Sequence, residues 1–221
     1  MPDGGADEAL PARERAGGRG EAVSDAAVGS GLAALARQAV EAYAQGRIED
    51  AIGAAKRMLE RSPEEASAHF LLGALHAEIG LIPRAIEEIG RAVALAPDLD
   101  AARFQLGLLE LHREAADRAR EIWAPLMQRD EDDAYAWFAR GLIELSEGRP
   151  PQCIAALRRG LERNDFDAAL SDQMARVLAV VEGGGAGPVP LAGTPRARPG
   201  ADPSAVRRAL LARYQVPDAA D

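Results

Sequence analysis

Residues 66–99 read ASAHFLLGALHAEIGLIPRAIEEIGRAVALAPDL. Apolar residues recur every three to four positions on both sides of Gly80, through Leu72 and Leu75 before it and Ile82, Ile86, Ile89 and Val93 after it. That period belongs to amphipathic helices. Gly80 interrupts the pattern and Pro97 closes it, so the stretch predicts two helices, 66–79 and 82–95. Helices of about 14 residues are marginal alone in water and need a packed partner. The same unit recurs along the chain. Gly73, Gly107 and Gly141 lie 34 residues apart, with Ala39 one period earlier. Ala51, Ala85, Ala119 and Cys153 form a second small-residue series in the same phase, and Pro63 and Pro97 a third. Gly46, Gly80 and Gly148 mark the middle turn, where the third unit has Glu114. A fixed period of this length signals a stacked helical array, in which neighbouring units bury what one unit cannot.

The rest of the 221 residues divides around that array. Residues 1–31 are rich in glycine and scattered charge and predict a disordered leader. Residues 32–182 predict helix pairs at 32–45 and 48–61, 66–79 and 82–95, 100–113 and 116–129, and 134–147 and 150–163. A last helix at 166–182 would shield the exposed end, with Asp172, Gln173 and Arg176 on its wet face. Pro150 and Pro151 suit a helix start, whereas Pro125 falls inside a helix and predicts a kink or a shortening. Residues 183–203, with six Gly and five Pro, predict a linker. Residues 204–216 predict a short helix between Pro203 and Pro217, followed by a tail at 217–221.

Composition narrows the function classes. Apolar residues make up 48% and aromatics only 4%, which favours helices over a β-sandwich. The net charge of −9 argues against nucleic acid as a general partner, because a phosphate backbone asks for a cationic face. One cysteine excludes an internal disulfide framework and a cysteine-based zinc site. No stretch approaches a membrane span, and the acidic start predicts no secretory signal, which together point to a cytoplasmic protein. Nothing suggests catalysis, a cofactor or a metal. His69, His76 and His112 read as packed or rim residues, Cys153 as an inert buried thiol, and Asp130–Asp133 as a solvated turn whose charge favours the next helix start.

The unit resembles the tetratricopeptide repeat, whose pattern runs Trp, Leu-Gly, Tyr, Ala, Phe, Pro. Residues 66–99 fit best, with Leu72-Gly73, Gly80, Ala85, Ala92 and Pro97 in place. Residues 134–167 match through Trp137, Gly141 and Gly148, and residues 100–133 through Leu106-Gly107, Ala119 and Trp123. Residues 32–65 fit least, with Gln38-Ala39 where Leu-Gly is usual. The resemblance covers about 150 residues. It implies an all-α fold: an α-solenoid of four tetratricopeptide-like helix pairs plus a C-terminal capping helix.

The resemblance further implies that the first helix of each unit lines a concave groove. Its groove positions hold Phe70, Phe104 and Phe138, then Leu108 and Leu142, then Tyr43, Leu111 and Leu145, with Tyr135 near the end. That column suits an apolar helical or extended segment of a protein partner. The same spacing also suits rings tucked into the core against the next unit. Arg103 and Arg140 adjoin the face and could orient acidic partner residues. The cations that would clamp a terminal carboxylate are missing from these positions. In 204–216, Val206, Leu210 and Tyr214 fall four apart with Leu211 beside them, among Arg207, Arg208 and Arg213. This segment could dock in the groove and guard it, meet a separate partner or an anionic membrane, or stay loose. The reading is a non-catalytic scaffold or adaptor; a secretion-type chaperone for a membrane-active substrate and a self-associating module are the alternatives. The sequence leaves partner and oligomeric state open.

Overall fold

The computed structural model describes residues 18–185 apart from 131, with side chains from residue 30 onward. Among these residues the chain forms nine α-helices and no strand. They are α1 Gly18–Ala44, α2 Ile48–Arg61, α3 Ala66–Glu78, α4 Ile82–Leu95, α5 Asp100–His112, α6 Ala116–Met127, α7 Ala134–Ser146, α8 Pro150–Arg163 and α9 Ala168–Glu182. Each helix packs on its chain neighbours, more extensively within a pair than between pairs, as a solenoid requires.

Each first helix ends in the same turn. Gly46, Gly80 and Gly148 take φ of 75°, 77° and 70°. Two hydrogen bonds then close it, as in Gly80 N–H to Ala77 O at 3.0 Å and Leu81 N–H to His76 O at 2.8 Å. This is the left-handed helix stop that glycine makes without steric cost. Glu114 occupies the same turn at φ 62°. An L side chain there costs roughly 1–2 kcal/mol. Glu114→Gly is expected to stabilise the protein by about 1 kcal/mol after the greater freedom of glycine in the unfolded chain is offset. Chemical denaturation measures it; a destabilised variant would contradict the turn.

Small residues set the spacing within a pair. A Cβ on Gly73 would lie 2.5 Å from Ile89 Cγ1, and one on Gly107 would lie 2.2 Å from the Trp123 ring. Gly141 faces Leu157 in the same way, and Gly160 faces Phe138. Ala51, Ala85, Ala119 and Cys153 are all fully buried. The apolar interior falls into two clusters. One runs from Leu32 to Leu75, the other from Phe70 to Val181. Helix α3 supplies both, with Ala68, Leu71, Leu72 and Leu75 turned to the first and Phe70 and Ala77 to the second. Nine of its 13 residues are buried, so it has no wet face of ordinary width.

Two local features differ from expectation, in α1 and α9, and the shortening expected at Pro125 is present in α6. Helix α1 starts at Gly18, inside the stretch 1–31 expected to be a disordered leader. Residues 21–28 hold Ala22, Ala26 and Ala27, and extending a helix that is already nucleated costs far less than starting one. Helix α6 ends at Met127 rather than 129, because Pro125 offers no N–H to the turn before it. In α9, Asp172 and Arg176 are exposed, but Gln173 is buried at 5% exposure, turned to the side that packs on the array. Asp133 caps α7, accepting from Ala136 N–H at 2.9 Å, so one member of the acidic run completes a helix start.

Candidate groove of the first helices

The expected exposed column of phenylalanines is not a surface. Phe70 and Phe104 are 2% exposed, and Phe138, Leu108 and Leu142 are fully buried. These five residues are core, and their reading as partner anchors is corrected. The physical reason is how closely the repeats approach. Phe104 stacks on Trp123 at 5.3 Å between centroids and 19° between planes. It also meets Tyr135 at 5.3 Å and Phe138 at 6.4 Å, both from the next repeat. The Trp123 indole N–H donates to Phe104 O at 3.0 Å, which fixes that ring against the backbone of the first helix. The fifth position thus points between repeats rather than out of the groove.

Four of the expected anchors reach the surface. Tyr43, Leu111, Tyr135 and Leu145 are half-buried, and Val40 shares their class. Tyr135 continues outward to Phe166, with centroids 5.5 Å apart. Phe166 is 45% exposed. The rings therefore form a line from Trp123 in the core through Phe104 and Tyr135 to Phe166 at the rim, across the repeats rather than along one column. Sequence reasoning missed Phe166; an aromatic in the turn that follows a repeat was the signal available.

One ionisable group joins this face. Glu78, at the end of α3, is half-buried beside Tyr43 of α1. Burial pushes its carboxyl above the usual carboxylate range, and the hydrogen bond with Tyr43 pulls it partly back.

The two arginines expected to orient a partner are already engaged. Arg103 donates to Pro97 O at 2.9 Å and to Ile122 O at 3.4 Å. Arg140 donates to Met127 O and, at 3.3 Å, to Arg129 O, and it lies 5.0 Å from the Trp137 ring centroid. Pro97 O, Met127 O and Arg129 O lie in the turn before each arginine's helix or at the end of the helix before it, and Ile122 O lies within the helix that follows Arg103, so both side chains have a structural duty. His69, one period before Arg103, does the same with Nε2 3.0 Å from Pro63 O, while its Nδ1 lies 2.7 Å from Glu88. Trp137, one period after, sits between Arg140 and Arg159.

Cys153 and His76 lie in the interior. Cys153 is fully buried and its thiol is pushed up to about 11, first by burial and then by the Glu144 charge. It fills a small-residue slot as an inert side chain. His76 is buried, which lowers its pKa despite Glu88 nearby. Among the described residues no three His, Cys, Asp or Glu side chains gather as metal ligands would, and no helix is long and apolar enough to cross a membrane. Val206, Leu210, Leu211 and Tyr214, the expected groove-docking helix, lie outside the described residues.

Comparison with known proteins agrees with this architecture. Residues 37–100 match a tetratricopeptide repeat model. No curated protein matches the chain. Among solved structures, a MamA protein is 18% identical with a TM-score of 0.51, covering 85% of this chain and 93% of its own. A MamA RS-1 ArsTM double mutant gives 15% identity and a TM-score of 0.51 over 83% and 93%. A MamA fragment, 41-end, from Desulfovibrio magneticus RS-1 gives 18% and 0.51 over 69% and 86%. At these identities the likeness is one of fold. Residues 37–100 thus match the tetratricopeptide repeat, and the 34-residue register and the helix pairs carry the same architecture along the described residues.

Proposed function

We propose that this protein is a non-catalytic scaffold that holds an apolar or amphipathic segment of a partner protein against the first helices of its repeats. The reading is supported by one observation above the others. Tyr43, Leu111, Tyr135 and Leu145 stay half-buried at groove positions, and Phe166 extends them to the rim. Tyrosines on a rigid frame are favoured anchors, and an apolar surface such as the leucines add is what an amphipathic segment lays its apolar face against. The buried phenylalanines contribute by fixing the frame rather than by touching the partner. The polar groups on the face are few, so the contact would be driven by burial of apolar area.

A panel of amphipathic helical peptides, read by fluorescence anisotropy, tests this. Leu111→Asp with Leu145→Asp is expected to weaken every peptide that binds the wild type by roughly tenfold or more, since truncating anchor residues commonly costs above about 1–2 kcal/mol. The thermal unfolding of this variant should stay close to wild type. Undiminished binding by the double variant would move the site off this face.

A further inference from the structure

Helix α9 is built as the first helix of a fifth repeat. Leu170 and Val177 fall 34 residues after Ala136 and Ile143, and all four are buried. Its end repeats the turn of the earlier first helices. Gly184 has φ 77°, and Gly185 N–H donates to Val180 O at 2.9 Å, as Arg47 does to Ala42 and Leu81 to His76. In four repeats that turn leads into a second helix, which folds back and covers the small residue at the eighth position. Ala39, Gly73, Gly107 and Gly141 are accordingly all buried. Ala175, next in that series, is exposed. Leu178 beside it is half-buried, Ala179 is exposed, and Val180 is 44% exposed. Asp172 and Arg176 stand where α5 and α7 carry Phe and Leu. Those charges discourage a sixth repeat, yet the face for a second helix remains small and largely apolar.

We propose that residues 204–216 of the same chain are the second helix of this fifth repeat, packed on α9 over Ala175 and Leu178. The segment between Pro203 and Pro217 has 13 residues. The second helices of the array have 12 to 14. Val206, Leu210 and Tyr214 share one face and offer bulk to a small residue, as Ile89, Trp123 and Leu157 do to Gly73, Gly107 and Gly141. Charge favours the same occupant. The segment carries Arg207, Arg208 and Arg213 and no acid, whereas residues 32–182 hold 26 acids and 18 bases. On α9 itself Asp172 and Arg176 are exposed, and Glu182 at its end is paired with Arg158 at 2.6 Å, so the attraction comes from the acidic excess of the array. A 21-residue connection, the length of 183–203, has a reach of roughly 25 Å. Helix α9, at 15 residues, is about 22 Å long, so an antiparallel return is within reach. This placement assigns the segment to the end of the array and leaves the groove of the earlier repeats free.

Thiol labelling of the full chain tests the proposal. Ala175→Cys is made in a Cys153→Ala background, alanine being the residue at the other three positions of that series. A segment docked about nine-tenths of the time slows labelling roughly tenfold, and Leu210→Asp with Leu211→Asp restores the fast rate. Protection should be independent of protein concentration. Fast labelling in the parent chain would overturn the proposal, as would slow labelling that survives the two aspartates. Protection that rises with concentration, with a dimer in sedimentation, would assign the face to a second copy instead.

Discussion

Phe104→Asp is expected to cost more than about 4 kcal/mol and to lower the melting temperature by about 10 °C or more. The ring is 2% exposed and touches Trp123, Tyr135 and Phe138. Removing a buried phenylalanine alone costs about 3–5 kcal/mol, and a carboxylate left in its place would be buried among the Trp123, Tyr135 and Phe138 rings. Most of the loss should fall on the C-terminal cluster, which contains Phe104, while the cluster around Leu32–Leu75 keeps its own contacts. Far-ultraviolet circular dichroism during heating measures this. A melting temperature within about 3 °C of wild type would return the ring to the surface and with it the exposed column. Leu111→Asp is the companion variant, because Leu111 is only half-buried.

Gly107→Ala is the second large effect, and its sign is opposite to what helix propensity alone gives. Alanine is favoured over glycine inside a helix by about 1 kcal/mol. The new Cβ would lie 2.2 Å from Trp123 Cε2 and Nε1, a distance that forces movement. The indole cannot yield freely, because its N–H is bonded to Phe104 O and its ring is stacked on Phe104. Overpacking of this kind costs about 1–3 kcal/mol, and a broken buried hydrogen bond about 1 more. A net loss of about 1–3 kcal/mol is expected. A Cβ added to Gly90, in α4, would meet nothing within 4 Å, so Gly90→Ala should gain about 0.5–1 kcal/mol. Urea titration of the two variants compares them directly. A gain in both would mean that the first and second helices are further apart than described.

The boundaries of the array were legible because glycine and proline act locally. Gly80 and Gly148 stop a helix through their own φ, so a 34-residue count places every helix of repeats two to four within two residues. The largest shortfall there, at Met127, follows from Pro125 in the same local way. Exposure was less legible, because it depends on how closely neighbouring repeats approach. Phe104 and Leu111 share a helix and a seven-residue spacing, yet one is core and the other half-buried. What separates them is the approach of the next repeat, whose Tyr135 and Phe138 close over Phe104. Arg103 and Arg140 were misread for a related reason. Their partners are backbone carbonyls, which carry no side-chain signature in the sequence.

Because α3 serves as a common wall to both apolar clusters, the molecule has a seam that is also its most redundant member. Melting either flank still leaves this helix a dry surface to lie on. Its amides should be the last to surrender their protons to heavy water, and any breathing of the spiral should swing about it as a door swings about a post that holds two leaves.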